Sequence, residues 1–525
     1  MAEAHVDASV STAPAESKNP LARFLSFLAS HPPGFWFIFW GEFAERCSYY
    51  GMRAILAVYM ADRLELGKAN GGMYFAFFTA ACYLLPLIGG YVADNYFGKY
   101  RTIVAFSLPY ILGHVVLGME NTLALFIALC LLAMGAGVIK PNISTLMGLT
   151  YDQYRPGNEL LRTQAFSMFY MSINIGAAIS QFVIPVIKDH YDYQLAFLFP
   201  AILMAVSFVF FAAGKPFYAT EIIARHKKTP EEYREMFRVV RKISGVFTMV
   251  VFFWAIFDQS ASTWIYFGTV YQYYFTIPLL GRMTPERIQF FNPVLIVIFL
   301  PFVTWLWTAL DHKGIKVKAT TKMLCGFVLT GLCMFIMAVA ALRAGSLQCL
   351  YVPLEGINAE DLAREKIEKT LPPAFDAATM VAGLAGPHLS PAAAATTTLA
   401  PLGKTLYVPP ESKVTLWWQG LAYLMLTIAE ILISVTGLEM AFVVAPKTMK
   451  GFITSLWLLT VFLANFALNA PLSRLYPRMN PAMYFLMLTG MLVAVVLIFL
   501  VVAARFNRLV AAEAATQTAS DAGHG

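Results

Sequence analysis

Between positions 42 and 53 the chain sets Glu42, Glu45, Arg46, Tyr49, Tyr50 and Arg53. Counted from Glu42, the offsets are 3, 4, 7, 8 and 11, so on a helix all six share one face. The residues around them are mainly apolar. Four charges and two phenols on one face of such a helix cannot point into lipid; they must line a wet cavity or meet partners. Two carboxylates beside one close cation leave an acid in excess, and a secluded excess acid can take up and release a proton. The other reading is a self-satisfied ladder, Glu42–Arg46 and Glu45–Arg46, that only positions the helix.

Further charges stand in apolar surroundings: Lys140 in GAGVIKPNIS, Asp258 in FWAIFDQS, and Glu430 in LTIAEILIS with Glu439 two and a half turns later. A charge at mid-bilayer costs at least ~2.5–3.5 kcal/mol, so each is a functional candidate by default. The cations Arg53 and Lys140 fall in the first half and the anions Asp258 and Glu430 in the second. Ion pairs between halves that form in one state and break in another would be gates; static packing pairs are the alternative. A third group, Gly90, Asp94, Gly98, Lys99 and Arg101, combines glycines suited to a tight turn and close helix approach with a possible Asp94–Arg101 charge relay. Its role would be conformational, with an ordinary capped turn as the alternative.

The elements that must hold these residues follow from composition. The chain has 525 residues, of which 58% are hydrophobic and 13% charged, with a net charge of +7 and a mean hydropathy of +0.63. Soluble domains carry about 25% charged residues, so much of this surface must face lipid. About twelve apolar runs are long enough to span a bilayer, near 34–60, 70–93, 102–119, 122–148, 163–187, 194–213, 246–275, 289–311, 322–342, 416–445, 451–470 and 480–504. Backbone groups cannot go unpaired in hydrocarbon, and these runs are too long and unbroken for barrel strands, so they must be helices. The fold class is therefore an all-α membrane protein.

Lys and Arg mark the orientation. Lys215, Arg225, Lys227, Lys228, Arg234, Arg238, Arg241 and Lys242 follow the sixth run, and Lys99, Arg101, Lys313, Lys316 and Lys318 follow the second and eighth. These connections, and with them both termini, are expected in the cytoplasm, with the chain in the cell membrane. The expected organisation is a disordered tail over 1–30, a six-helix bundle over 31–214, a cytoplasmic linker over 215–245, a second six-helix bundle over 246–505 and a tail over 506–525. An Ala-, Pro- and Thr-rich insertion over 343–415 interrupts the second bundle on the extracytoplasmic side. Two bundles joined by a basic linker are the pattern of a transporter whose halves rock about a central site.

Other classes find no support. The basic residues are spread over short loops, which argues against a nucleic-acid partner. The first 30 residues hold no long apolar segment of a cleavable signal. Five of the six cysteines, Cys47, Cys82, Cys130, Cys325 and Cys333, lie in apolar stretches, and with Cys349 they form neither a disulfide framework nor a zinc spacing. His31, His114, His190 and His226 are scattered. No metal site, cofactor site or enzymatic nucleophile is expected.

EFAERCSYYG over 42–51 resembles the ExxERFxYYG signature of the proton-dependent oligopeptide transporter family, within the major facilitator superfamily. GGYVADNYFGKYRTI, FYMSINIG over 169–176, GVIKPNIS, IFDQ, FFNP over 290–293, AEILISVTGLE over 429–439 and APKTMKG over 445–451 follow in order in the corresponding spans. The resemblance covers about 30–505. It implies twelve helices in two six-helix bundles and proton-coupled import of di- and tripeptides by alternating access. It also implies roles. Glu42, Glu45 and Arg46 would couple protons. Arg53 and Lys140 would hold a peptide's carboxylate, and Glu430, Asn174 and Asn292 its ammonium. Tyr49, Tyr50, Tyr83 and Trp457 would line side-chain pockets. Lys140 with Glu430 would close the cytoplasmic gate and Arg53 with Asp258 the outer one. For the asparagines the alternative is interhelical hydrogen bonding, and for the aromatics ordinary packing. A single chain is expected to suffice.

The departures are specific. Cys47 replaces the signature's phenylalanine, and Ala177 and Ala178 replace Ser-Leu. Ala76 stands where animal members have a histidine, so proton handling should rest on carboxylates. The stretch 214–245 is too short and polar for the two extra helices of many bacterial members. The insertion 343–415 sits where animal members carry an extracellular domain. A relative carrying another small solute, such as nitrate, an amino acid or a peptide-like compound, is the competing reading.

Overall fold

The computed structural model describes residues 20–221, 223, 229–344, 350–353, 404–407, 413–443 and 450–522. Among them, eleven helical segments are long and apolar enough to cross a membrane. The twelfth is α2 (Pro33–Val58), which runs on through a wider π-turn, Tyr59–Arg63. Its buried charges make it polar for a span, yet its length exceeds the ~20 residues a bilayer needs.

The first bundle continues with α3 (Gly67–Val92), α4 (Lys99–Leu117), α5 (Thr122–Tyr154), α6 (Glu159–His190) and α7 (Tyr193–Ala213). The sequence punctuates these helices locally. Asn121, Asn158 and Asp192 precede α5, α6 and α7, and each side chain accepts a hydrogen bond from the backbone N–H three residues on, satisfying a donor the helix leaves free. The α3–α4 connection turns at Gly98, whose φ of 77° lies where only glycine is at ease. Inside the bundle α4 and α5 cross closely at Gly135; a Cβ there would lie 2.3 Å from Cβ of Tyr110.

The second bundle holds α8 (Pro230–Phe257), which leads through a short 3₁₀ turn, Asp258–Ala261, into α9 (Thr263–Tyr271). Then come α10 (Phe291–His312), α11 (Ala319–Arg343) and α12 (Trp417–Glu430). A π-turn over Ile431–Val435 joins α12 to α13 (Thr436–Val443). Another over Ala464–Asn469 joins α14 (Lys450–Leu463) to α15 (Ala470–Leu475), and α16 (Pro481–Ala522) closes the bundle. The bundles meet through α3 against α14 and α15, and α6 against α10 and the turn before it.

Three expected boundaries move. Residues 20–30, expected in a disordered tail, form helix α1 (Pro20–Ser30) from the apolar run PLARFLSFLAS. Residues 230–245, expected in the linker, are the first turns of α8. Thr229 and Glu232 build a reciprocal cap there, and Val239 and Ile243 are buried. Residues 506–522, expected as a tail, prolong α16, as an Ala-rich continuation favours. Of the insertion 343–415, the described residues include paired antiparallel strands, Leu350–Pro353 and Lys404–Tyr407. Residues 444–449, most of the APKTMKG motif, lie outside the described residues.

We call the end of the bundles that carries Lys99, Arg155, Lys215 and Lys313 the basic end. Around Gly98, Asp94 pairs with Lys99 rather than with the expected Arg101, and Glu221 accepts the N–H groups of Lys99 and Tyr100 at 2.6 and 3.0 Å. The linker thus caps α4 with a carboxylate, at the helix end that favours negative charge.

Candidate functional site

Helix α2 turns its charged face inward. Glu42, Glu45 and Arg46 are 1–2% exposed. Arg46 Nε lies 2.7 Å from both Glu42 Oε1 and Glu45 Oε2. Glu42 Oε2, both carboxylate oxygens of Glu45 and Arg46 Nη2 have no hydrogen-bond partner among the described residues. The Nε hydrogen goes to Glu42 and Glu45 is held by charge alone, which leaves donor and acceptor capacity inside the protein. Lys140 is near enough to interact electrostatically with both Glu45 and Arg46. Cys47 donates to the Gly176 carbonyl at 3.4 Å, so the small thiol fits where α2 meets α6.

One turn and more beyond the trio a cavity of about 160 Å³ lies between the bundles. From the first bundle Tyr49, Tyr50, Arg53, Tyr83 and Asn174 line it, and from the second Asp258, Asn292 and Glu430. Arg53 Nη2 donates to Asp258 Oδ1 at 2.5 Å, joining the halves. Asn292 donates to Glu430 Oε2 at 2.8 Å and to Thr427 Oγ1 at 3.1 Å, an interhelical contact that orients the acid. Asn174 donates to the Tyr170 carbonyl of its own helix at 3.0 Å.

Lys140 and Glu430 form no ion pair among the described residues: the ammonium lies over the Tyr83 ring, 4.3 Å from its centroid. That contact ties Lys140 to a wall of the cavity. Trp457, expected in a side-chain pocket, instead packs edge-on against Phe247 at 5.5 Å and sits against Gly437. It is not among the cavity-lining residues.

Sequence reasoning passed over several residues. Tyr170, Gln181, Trp254 and Tyr423 also line the cavity. Tyr170 stands inside FYMSINIG and Gln181 seven residues after Asn174, so helical spacing could have found both. A second ion pair joins the halves: Lys188 Nζ lies 2.9 Å from Glu286 Oε1. Burial alone would push the Glu286 carboxyl up, but the Lys188 ammonium and the hydrogen bonds it receives hold it below the ordinary carboxylate value. Tyr266 also donates to the Ala57 carbonyl at 3.0 Å and Gln289 to that of Ala54 at 3.0 Å. These polar contacts between the halves gather at the end opposite the basic one.

The arrangement is a two-bundle membrane fold with a polar, aromatic cavity between its halves. The model of the POT family matches residues 100–244, 219–356 and 378–480, and the chain belongs to that family. It is similar to Peptide transporter family 1 of Drosophila melanogaster, 30% identical over 402 residues, 67% of this chain and 52% of that protein. Solute carrier family 15 member 1 of Rattus norvegicus is 30% identical over 377 residues, 59% of this chain and 52% of that one. The chain spans about half the length of these curated relatives. Its fold resembles the in meso crystal structure of the POT family transporter PepTSo, with a TM-score of 0.69 at 24% identity, covering 91% of this chain and 99% of that one. A POT family transporter in complex with thioalcohol conjugated peptide matches with a TM-score of 0.69 at 21% identity, covering 91% and 97%.

Proposed function

We propose that the chain is a proton-coupled symporter that imports di- and tripeptides by alternating access, acting as a single chain. The carrying observation is the cavity that sets Arg53 of one half against Glu430 of the other among tyrosines. A peptide is a zwitterion. Its carboxylate matches Arg53 and Lys140, its ammonium matches Glu430 held by Asn292, and aromatic walls accept many side chains without demanding particular hydrogen bonds.

The basic end is cytoplasmic in this reading, which puts both termini inside and the chain in the cell membrane. Arg53–Asp258 and Lys188–Glu286 are then outer contacts, and the described state is closed to the outside. In the opposite state these pairs part, a proton loads the Glu42/Glu45/Arg46 trio, and a peptide bridges the halves. Its charged ends compete with the interhelical ion pairs, so binding loosens one gate while Lys140–Glu430 becomes free to form the other. Asp94 with Lys99, and Arg101 nearby, steady the α3–α4 turn during rocking. Release of the proton inward lets Arg46 recapture both acids. One charge crossing ~100 mV is worth about 2.3 kcal/mol, and one pH unit adds about 1.4 kcal/mol. Together they support accumulation of roughly several hundred-fold per proton.

The test is uptake of a labelled dipeptide such as dialanine by proteoliposomes holding the whole chain. Uptake is expected to rise with an inward proton gradient and to fall when other di- and tripeptides compete. Absence of uptake across a di- and tripeptide panel would sink the reading. Solved POT transporters in complex with alafosfalin and with 5-aminolevulinic acid favour a second reading, in which the cargo is a peptide-like compound; the same panel with such compounds separates the two.

A further inference from the structure

The gate pair Arg53–Asp258 has a second shore. Asp258 Oδ1 takes the guanidinium, and Oδ2 accepts from Asn465 Nδ2 at 2.7 Å. Asn465 Oδ1 accepts from Asn469 Nδ2 at 2.8 Å. Asn469 Oδ1 accepts from Gln259 Nε2 at 2.6 Å and from the Ser473 hydroxyl at 3.2 Å. Gln259 Oε1 accepts from Tyr484 at 2.8 Å and Thr263 at 2.7 Å. Asp258 and every member beyond it are at most 4% exposed.

The direction of this chain is determined from one end. A carboxylate only accepts, so Asn465 must present its NH₂ to Asp258 and its oxygen to Asn469, and each later amide is oriented in turn. All donors therefore point toward Asp258. The relay is complete only while that carboxylate faces both Arg53 and Asn465. If Asp258 swings away, Asn465 keeps its Val461 carbonyl at 3.1 Å but loses the charged acceptor, deep in a site where water cannot replace it.

Asn465 and Asn469 stand on the π-turn Ala464–Asn469, where the Ala470 N–H reaches back to the Asn465 carbonyl. The far end of the relay touches the other bundle. A Cβ on Gly72 of α3 would lie 2.8 Å from Cβ of Ser473, so α3 and α15 cross there with no slack. One hydrogen-bonded string therefore runs from the gate pair to a close crossing between the halves.

We infer that Asn465, with Asn469 and Gln259, is the positioning element of the Arg53–Asp258 gate, joining that pair to the α3–α15 crossing so that both part together. The inference rests on the pair acting as a gate in the proposed transport cycle. Asn465 acts through Asp258; it does not line the cavity. Protonated, solvated or rotated Asp258 is the event it resists, because each leaves a buried amide donor short of its acceptor.

The experiment is pulsed electron-electron distance measurement on the full chain without substrate. Spin labels go on Tyr191, 72% exposed in the first bundle, and on Leu279, wholly exposed in the second, both at the end opposite the basic one. Asn465→Ala is expected to enrich the longer distances on the order of tenfold, the worth of one charge-assisted hydrogen bond. Asp258→Asn should do the same, and the double variant should go no further than Asp258→Asn alone, because the amide's effect passes through the carboxylate. Additive shifts, or an Asn465→Ala distribution equal to that of the parent, overturn the inference. Should Asn465→Ala not fold, Asn469→Ala replaces it, with a smaller shift in the same direction expected and an unchanged distribution overturning. If Asp258→Asn itself moves nothing, the pair is no gate and the transport reading loses its outer gate; if Asp258→Asn opens that end and the amide variants do not, only the relay fails.

Discussion

Arg46 carries two acids at once. Its Nε alone faces two buried carboxylates at 2.7 Å, so removing charge from either acid should relieve the site rather than collapse it. Glu45→Gln is expected to keep peptide exchange across a proteoliposome while abolishing gradient-driven accumulation; parallel loss of both activities would contradict the coupling role. Asn292 sits at the other chemical pole. Asn292→Ala leaves Glu430 without its 2.8 Å donor, and a hydrogen bond to a charged group is worth about 1.5–3 kcal/mol. Dipeptide affinity should fall about tenfold or more if Glu430 reads the ammonium, as equilibrium binding with a labelled dipeptide would measure; an amino-blocked peptide should lose little.

In the proposed cycle pairs of helices carry the closures. Between α6 and the turn before α10, Lys188 and Glu286 form a latch that spacing alone did not suggest. Lys188→Ala strands a buried carboxylate, an effect of about 3 kcal/mol or more against the closed end, readable as faster labelling of a cysteine placed in the cavity. The sign of its pH response follows from the depressed Glu286 carboxyl: its contribution is complete above the ordinary glutamate value of about 4.3 and fades only as pH falls below it. The share of long distances between spin labels at Tyr191 and Leu279 should therefore be flat from pH 8 to 5 and rise below about pH 4. A rise centred near neutrality would make this latch, not the α2 trio, the proton sensor. At the α4–α5 crossing, Gly135→Val drives a branched side chain into Tyr110 and should cost about 1–3 kcal/mol of bundle stability, measured as a lower melting temperature in detergent with the fold class unchanged.

For the molecule as a whole, two bundles pinned at one end and joined at the other by a basic linker suit the proposed rocking motion. The described state pairs Arg53 with Asp258 while leaving Lys140 over Tyr83, so in the proposed cycle Lys140 changes partner when the halves tilt. If one proton accompanies each peptide, steady-state accumulation in proteoliposomes should change about tenfold per pH unit of gradient at fixed potential. A slope near zero would argue for facilitated exchange, with the acids serving structure alone.

Much was legible along the chain because it is local. Run length and apolarity set the helices, since hydrocarbon tolerates no unpaired backbone. Periodicity put Glu42, Glu45, Arg46 and Arg53 on one face, since side chains three, four and seven apart align. Helix length past an apolar run was harder to see: 20–30, 230–245 and 506–522 are helical although only partly apolar, because caps, Ala content and packing extend a helix beyond what lipid requires. Partners across helices were decided by tertiary structure. Asp94 chose Lys99 over Arg101, Trp457 turned into packing, and Lys188–Glu286 and Asp258–Asn465 join residues 98 and 207 positions apart. A sequence states which charges are buried on a face; only the rotation and crossing of the helices bring two faces within 3 Å, and that geometry is a property of the packed bundles.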